Sequence, residues 1–357
     1  MECGVFVFQR FASAQCHDMY LRTVFTAFAF FWSSVFLPHE TKRALEYALS
    51  WRKMMRRKMS WVYGFVSLCL LCLFWATPVQ ARSAQSDWWL SAHRGGDTKG
   101  YPENAIETFA HSVSLSKRVW IECDISESAD GVLMMMHDST LSRTSTGHGY
   151  VVQTPWAKLK TLRLKDPYGH ITPYRIPRLI DVLRWGKGKT QLFLDVKSRW
   201  PRGLRHRTHR PYWKSIFSRV VKMIQQQRAW KDVVVITYNV RQALYVHKLD
   251  KRLRLSVGLT SISKLQTYLR HIPAHRMIAF TGLLFYGEKP SLYQALKRHQ
   301  VKVIAATFRA ESVVARLPLT GWMRRIIWSL MLQRYSELGI QIFAVNDTRL
   351  ALTLLSQ

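Results

Sequence analysis

From about residue 88 to the C-terminus, short β-branched or aliphatic runs alternate with amphipathic helical stretches over roughly 270 residues, and no other feature narrows the fold as far. The candidate strands are 90–95, 119–125, 132–137, 191–197, 232–238, 253–259, 277–284, 301–308 and 340–346. Helical periodicity falls between them, at 105–116, Lys214–Arg228, Ser291–His299 and Arg324–Leu338. Strand–helix alternation calls for parallel strands joined by crossover helices, and this length suits a (β/α)₈ TIM barrel within the α/β class. Nine candidates compete for eight places, so one is an accessory strand or a misreading. No fixed-period repeat or low-complexity tract is visible.

The segment before the barrel reads differently. Arg56, Arg57 and Lys58 precede the apolar run Trp61–Ala76, and Val79 and Ala81 put small residues at −3 and −1 of a cleavage site. This predicts a signal peptide over 54–81, removed after Ala81, with an uncleaved membrane anchor as the alternative. Residues 1–53 then precede a conventional start at Met54, Met55 or Met59 and read as an upstream extension. Their apolar stretch 23–37 is a marginal membrane segment, because a spanning helix needs ~20 residues. The expected mature domain, 88–357, is exported, periplasmic or secreted. Cleavage leaves Cys123 alone of five cysteines, so the domain holds together by packing and not by internal disulfides.

Charge limits the partners. The chain has 53 Lys and Arg against 22 Asp and Glu, and removal of residues 1–81 leaves 44 against 18, a net of +26. Such an excess favours anionic partners, either a phosphate-bearing small molecule or an anionic membrane surface. Nucleic acid fits poorly with export. The stretch Lys197–Lys214 concentrates Arg199, Arg202, Arg205, His206, Arg207, His209 and Arg210, as a solvated loop or as a contact to anionic lipid or substrate.

The residues that bear chemistry lie at predicted strand ends. His93-Arg94-Gly95-Gly96 places an imidazole and a guanidinium beside two glycines, open to an approaching phosphate. Glu122 and Asp124 follow the apolar run Val119–Ile121 at i and i+2, on one face of a strand. Two carboxylates so close repel unless a cation joins them, and an all-oxygen set favours Ca²⁺ or Mg²⁺. Cys123, on the opposite face, reads as a small buried hydrophobe. The run Met134–Met136 reads as strand core and leads into His137. Asp195 and Lys197 repeat the i, i+2 geometry, with an ordinary surface ion pair as the bland reading. Tyr238 and Asn239 end a later strand, where they could line the pocket.

His93-Arg94, twenty-seven residues, Glu122-x-Asp124, twelve residues and His137 together resemble the glycerophosphodiester phosphodiesterase family, among the phospholipase-C-like phosphodiesterase barrels. Pro102-Glu103-Asn104, Asp130-Gly131, His137-Asp138, Leu141–Thr144 and Ile176–Leu179 add to the likeness, which is dense from 90 to 197 and thin afterwards. The resemblance implies hydrolysis of glycerophosphodiesters to glycerol 3-phosphate and an alcohol. It implies one divalent cation, Ca²⁺ or Mg²⁺, on Glu122, Asp124 and Asp195, with Arg94 and Lys197 on the phosphate and Glu103 and Asn104 supporting the site. His93 and His137 become the acid–base pair, His93 as base and His137 as acid by resemblance only. Two positions depart from the family: Asp195 stands where a Glu is usual, and Asn346 or Asp347 takes the acidic place on the last strand. A lysophospholipase-D-like or cyclising activity on membrane lipids would use the same site. A basic membrane-binding module on a degenerate barrel is the reading from another class.

Overall fold

The computed structural model describes residues 88–201, 204, 212–283, 290–307 and 321–355. The expected signal peptide, the expected upstream extension and most of the basic stretch after Arg199 lie outside these residues.

Eight parallel strands form the barrel: β1 (Trp89–Ala92), β2 (Val119–Glu127), β6 (Leu192–Val196), β7 (Val233–Thr237), β8 (Arg254–Gly258), β9 (Met277–Leu283), β10 (Lys302–Ala306) and β11 (Ile342–Val345). They run around it in chain order, and β1 closes it by pairing with both β2 and β11, Ala92 opposite Ile121 and Val345. Helices separate them, among them α1 (Ile106–Leu115), Tyr212–Gln226, Pro290–Arg298 and Gly321–Glu337. The expected (β/α)₈ architecture is therefore present. Among the described residues no helix is long and apolar enough to cross a membrane.

The ninth candidate is β3 (Leu133–Met135), which runs antiparallel to the end of β2 with Ile125 opposite Met135. It is an accessory strand that folds the chain back over the barrel mouth. Its methionines divide as the period-two rule requires. Met135 joins the main core, whereas Met134 and Met136 pack with Leu141, Val151, Leu159, Leu164 and Ile176 beneath the segment that follows.

That segment holds a hairpin that the periodicity does not predict, β4 (Arg163–Lys165) and β5 (Ile171–Arg175). Of its strand residues only Leu164 and Thr172 are buried, so no apolar alternation marks it in the sequence.

The barrel wall separates two cores. Outward-facing residues such as Ile121, Cys123, Leu192, Leu194, Val233 and Val235 pack against the helices. Inward-facing Trp120, Phe193, Val234, Ile278, Ile304, Ile342 and Ala344 fill the interior. Trp120 lies 5.3 Å from Trp89 and 5.8 Å from Phe193, centroid to centroid. Two residues further along β2 and β6 the same inward face turns from aromatic to charged. The aromatic layer is the floor of the site.

Candidate active site

Strand register brings the carboxylates together. Asp124 and Asp195 are direct partners across the β2–β6 pair, and Glu122 stands one inward position below Asp124. Oxygens from the three lie within 4.8 Å of one another, and all three residues are buried. Burial first, then Asp124 and Asp195, push the Glu122 carboxyl well above the ordinary range, although the Arg94 N–H and Lys197 act the other way. Burial also raises Asp124, but Lys197, His137 and hydrogen bonds from Lys197 and Asn104 outweigh it and hold this carboxyl below the ordinary range.

Lys197 follows β6 and its Nζ bridges Asp124 Oδ1 at 2.7 Å and Asp195 Oδ2 at 2.8 Å. Burial opposes its charge, yet the two aspartates prevail and hold the ammonium above the usual lysine range. The second oxygen of Asp195, Oδ1, is buried without a hydrogen-bond partner. A desolvated carboxylate oxygen of this kind costs free energy unless a cation or donor meets it. Together with the raised Glu122 carboxyl and the all-oxygen donor set, it fits a hard divalent cation.

Arg94 and Asn104 brace the pair. Arg94 has left-handed backbone angles, φ 55° and ψ 24°, so its N–H turns inward and donates to Glu122 Oε2 at 2.8 Å. Asn104, also left-handed at φ 63°, clamps Asp124 from both sides. Its Nδ2 donates to Asp124 Oδ2 and its Oδ1 accepts from the Asp124 N–H, each at 2.8 Å. Arg94 Nη1 reaches both Glu103 oxygens at 3.2–3.3 Å, while its Nε lies 3.7 Å from Asp124 Oδ2. The neighbouring glycines serve packing more than access. A Cβ on Gly95 would lie 2.6 Å from the Phe109 ring of α1, and one on Gly96 would lie 2.9 Å from Ser112 and Thr348.

The two histidines come from different directions. His93 follows β1, with Nδ1 2.8 Å from Asn346 Oδ1. Burial first, then Arg94, lowers its pKa below the usual 6.5, against the Asn346 hydrogen bond and Asp124. His137 follows β3, and the bond from the Met136 N–H to the Asp124 carbonyl, 2.9 Å, ties its backbone to the carboxylate strand. Its Nδ1 lies 2.6 Å from Asp138 Oδ1.

All nine residues named from the sequence, His93, Arg94, Glu103, Asn104, Glu122, Asp124, His137, Asp195 and Lys197, thus meet at or beside the C-terminal mouth of the barrel. Cys123 faces the outer core, where burial pushes its thiol well up, so it is no nucleophile. The two late candidates separate. Tyr238 exposes its ring at the rim, but its hydroxyl donates to Asp195 Oδ2 at 2.6 Å. Asn239 instead caps the helix Val240–Leu249 through the Gln242 N–H. On the last strand Asn346 takes the inward place, and Asp347 accepts from the Leu350 N–H at the start of the final helix. Asp138 and Arg143 lie within the motif segments, but nothing in the local sequence indicates what they bond. Both bond directly to groups of the site.

Comparison with known proteins agrees with this geometry. The profile of the Glycerophosphoryl diester phosphodiesterase family matches residues 93–321. A curated glycerophosphodiester phosphodiesterase of Caldanaerobacter subterraneus is 27% identical over 233 residues, 64% of this chain and 89% of that protein. A crystal structure of a glycerophosphoryl diester phosphodiesterase from Parabacteroides distasonis aligns at TM-score 0.64 and 28% identity, covering 76% of this chain and 87% of the other. An Oleispira antarctica phosphodiesterase, solved with the product sn-glycerol-3-phosphate, shares the fold at TM-score 0.52 and 20% identity, over 75% of this chain and 97% of its own.

Proposed function

This chain belongs to the glycerophosphoryl diester phosphodiesterase family, and we propose that it hydrolyses glycerophosphodiesters to glycerol 3-phosphate and an alcohol at the mouth of its barrel. The observation that carries this reading is the single cluster of three buried carboxylates, Lys197 and Arg94, with His93 and His137 both near enough to interact with the Asp124 charge.

Glu122, Asp124 and Asp195 would hold one divalent cation, Ca²⁺ or Mg²⁺. Such an ion polarises a phosphoryl oxygen and lowers the pKa of bound water. The chain's own groups supply the rest. Arg94 and Lys197 offset the negative charge that grows on the phosphoryl oxygens toward the transition state. His93 has the character of a base, since its lowered pKa keeps the imidazole neutral to lower pH than a free one. With Asn346 Oδ1 accepting from Nδ1–H, the lone pair sits on Nε2 and takes the proton of the attacking hydroxyl or water. His137 acts from the other side as the acid, giving a proton to the departing alcohol oxygen. Asn104 keeps the Asp124 carboxylate from turning away, and the aromatic floor keeps water from beneath it.

The test is turnover of a panel of glycerophosphodiesters with Ca²⁺, with Mg²⁺ and with chelator. We expect metal-dependent release of glycerol 3-phosphate. A chain inactive on every member, or one indifferent to the chelator, would overturn the reading, and turnover confined to lysolipid micelles would favour the lipid-directed activity instead. Export is proposed from the sequence alone. The intact mass of the exported protein should begin at Arg82, and any earlier start contradicts cleavage after Ala81.

A further inference from the structure

One cationic side chain beside the site has no part in the hydrolysis as written. Arg143 engages two carboxylates at once. Its Nη1 and Nη2 donate to Glu103 Oε2 and Oε1, each at 2.8 Å. Its Nε and Nη2 donate to Asp138 Oδ2 at 2.6 Å and Oδ1 at 3.0 Å. Both carboxylates have their other partner in the site, since Glu103 accepts from Arg94 and Asp138 Oδ1 meets His137 Nδ1. A continuous chain therefore runs from Arg94 through Glu103, Arg143 and Asp138 to His137. It joins the Arg94 guanidinium, whose Nε lies 3.7 Å from Asp124 Oδ2, to the His137 imidazole.

We propose that Arg143 is a positioning residue for the departure of the alcohol: it fixes Asp138 against Nδ1 of His137 so that Nε2–H faces the leaving oxygen, and through Glu103 it steadies Arg94. The inference rests on His137 acting as the acid in the hydrolysis proposed above. As the P–O bond breaks, the alcohol oxygen takes the Nε2 proton and keeps the bonding pair. His137 passes from imidazolium to neutral imidazole, with Nδ1–H still held by Asp138.

Two physical points favour this role over that of a surface ion pair. A lone exposed ion pair contributes ~0–1 kcal/mol, whereas a planar guanidinium with two forked pairs fixes the orientation of both partners, which a lysine cannot do. In addition, hydrogen bonds from Arg143 are the largest cause of a lowered Asp138 pKa, about 2, so Asp138 stays a carboxylate opposite His137 throughout the working range.

The experiment compares two substrates on the metal-loaded full chain. Glycerophosphocholine releases an alkoxide that needs a proton, whereas the 4-nitrophenyl ester of glycerol phosphate releases a phenolate that does not. Since a general acid contributes about 10²–10⁴-fold, Arg143→Ala should lower kcat on the choline ester about 10- to 100-fold, and on the nitrophenyl ester only about threefold, from a looser Arg94. Asp138→Asn should reproduce the split, Arg143→Lys should fall between, and added guanidinium should restore part of the Arg143→Ala loss. Equal losses on the two esters would indicate a general structural role and overturn the proposal, as would a choline-ester loss below threefold. A wild-type chain that turns over neither ester would instead remove the hydrolysis reading, and this inference with it.

Discussion

At the C-terminal ends of β1, β2 and β6 the barrel carries His93, Arg94, Glu122, Asp124, Asp195 and Lys197, whereas the described residues at the same ends of β8, β9 and β10 are Leu259, Thr260, Leu283 and Thr307. Lower down, the two sides are built alike. Both pair in parallel register, bury aliphatic residues outward and fill the interior with large inward side chains such as Trp120 and Phe193 on one side and Ile278 and Ile304 on the other. They part where the inward face passes the aromatic layer. On the far side the Thr307 hydroxyl and N–H both donate to the Ala344 carbonyl, which ties β10 to β11. The barrel is thus a common support, and the chemistry belongs to the last inward positions of the strands on one side and to the residues that directly follow them.

Substitutions that unequally affect the two sides test this division. The largest effect is expected for His93→Ala, which should lower kcat about 10²–10⁴-fold, as loss of a general base does, with little change in thermal midpoint. A collapse of stability instead would make His93 a packing residue. Next, Asn104→Ala removes both hydrogen bonds to buried Asp124 and leaves alanine in a left-handed backbone position. It should cost about 2–4 kcal/mol in urea unfolding, and a loss under about 1 kcal/mol would show that the clamp is not needed.

Smaller is the effect of Tyr238→Phe, which keeps the ring but removes one of the two donors to Asp195 Oδ2, leaving Lys197. Loss of such an outer partner should weaken cation affinity about tenfold, read by titrating activity or heat against the metal. Asn346→Asp should change pH dependence more than rate. A carboxylate on His93 Nδ1 favours the imidazolium, so the neutral base is lost at higher pH and the acid limb of kcat/KM moves upward from its place below 6.5. A downward shift would contradict the assignment of that limb to His93. Smallest of all, Thr260→Ala on the far side should change kcat less than about twofold, since its hydroxyl accepts from Lys264 Nζ on the next helix, outside the carboxylate cluster.

How much of this could be read in advance follows from the period of each feature. The barrel strands were legible because they repeat every two residues and are separated by helical periods, and their observed ends differ from the expected ones by a few residues at most. The β4–β5 hairpin was not, since charges at Arg163, Lys165 and Arg175 leave too few buried positions to make a pattern. Glu122, Asp124, Asp195 and Lys197 were legible because i, i+2 spacing on a strand fixes a shared face before any partner is known. Asn346, Tyr238 and Arg143 lie 253, 43 and 40 residues from the groups they bond, His93, Asp195 and Glu103, and no local period connects them.

By itself the sequence determined the succession of strands along the chain, the shared face of Glu122 with Asp124 and of Asp195 with Lys197, and the family motif, all of which depend on short-range periodicity and spacing. Tertiary structure alone decided the rest: that Asp124 lies opposite Asp195, that Lys197 bridges them, that Asn346 rather than Asp347 reaches His93, and that Arg143 joins Glu103 to Asp138. Those pairings depend on the register of strands and loops brought together only when the barrel closes, and a linear pattern of residues does not encode register across a closed sheet.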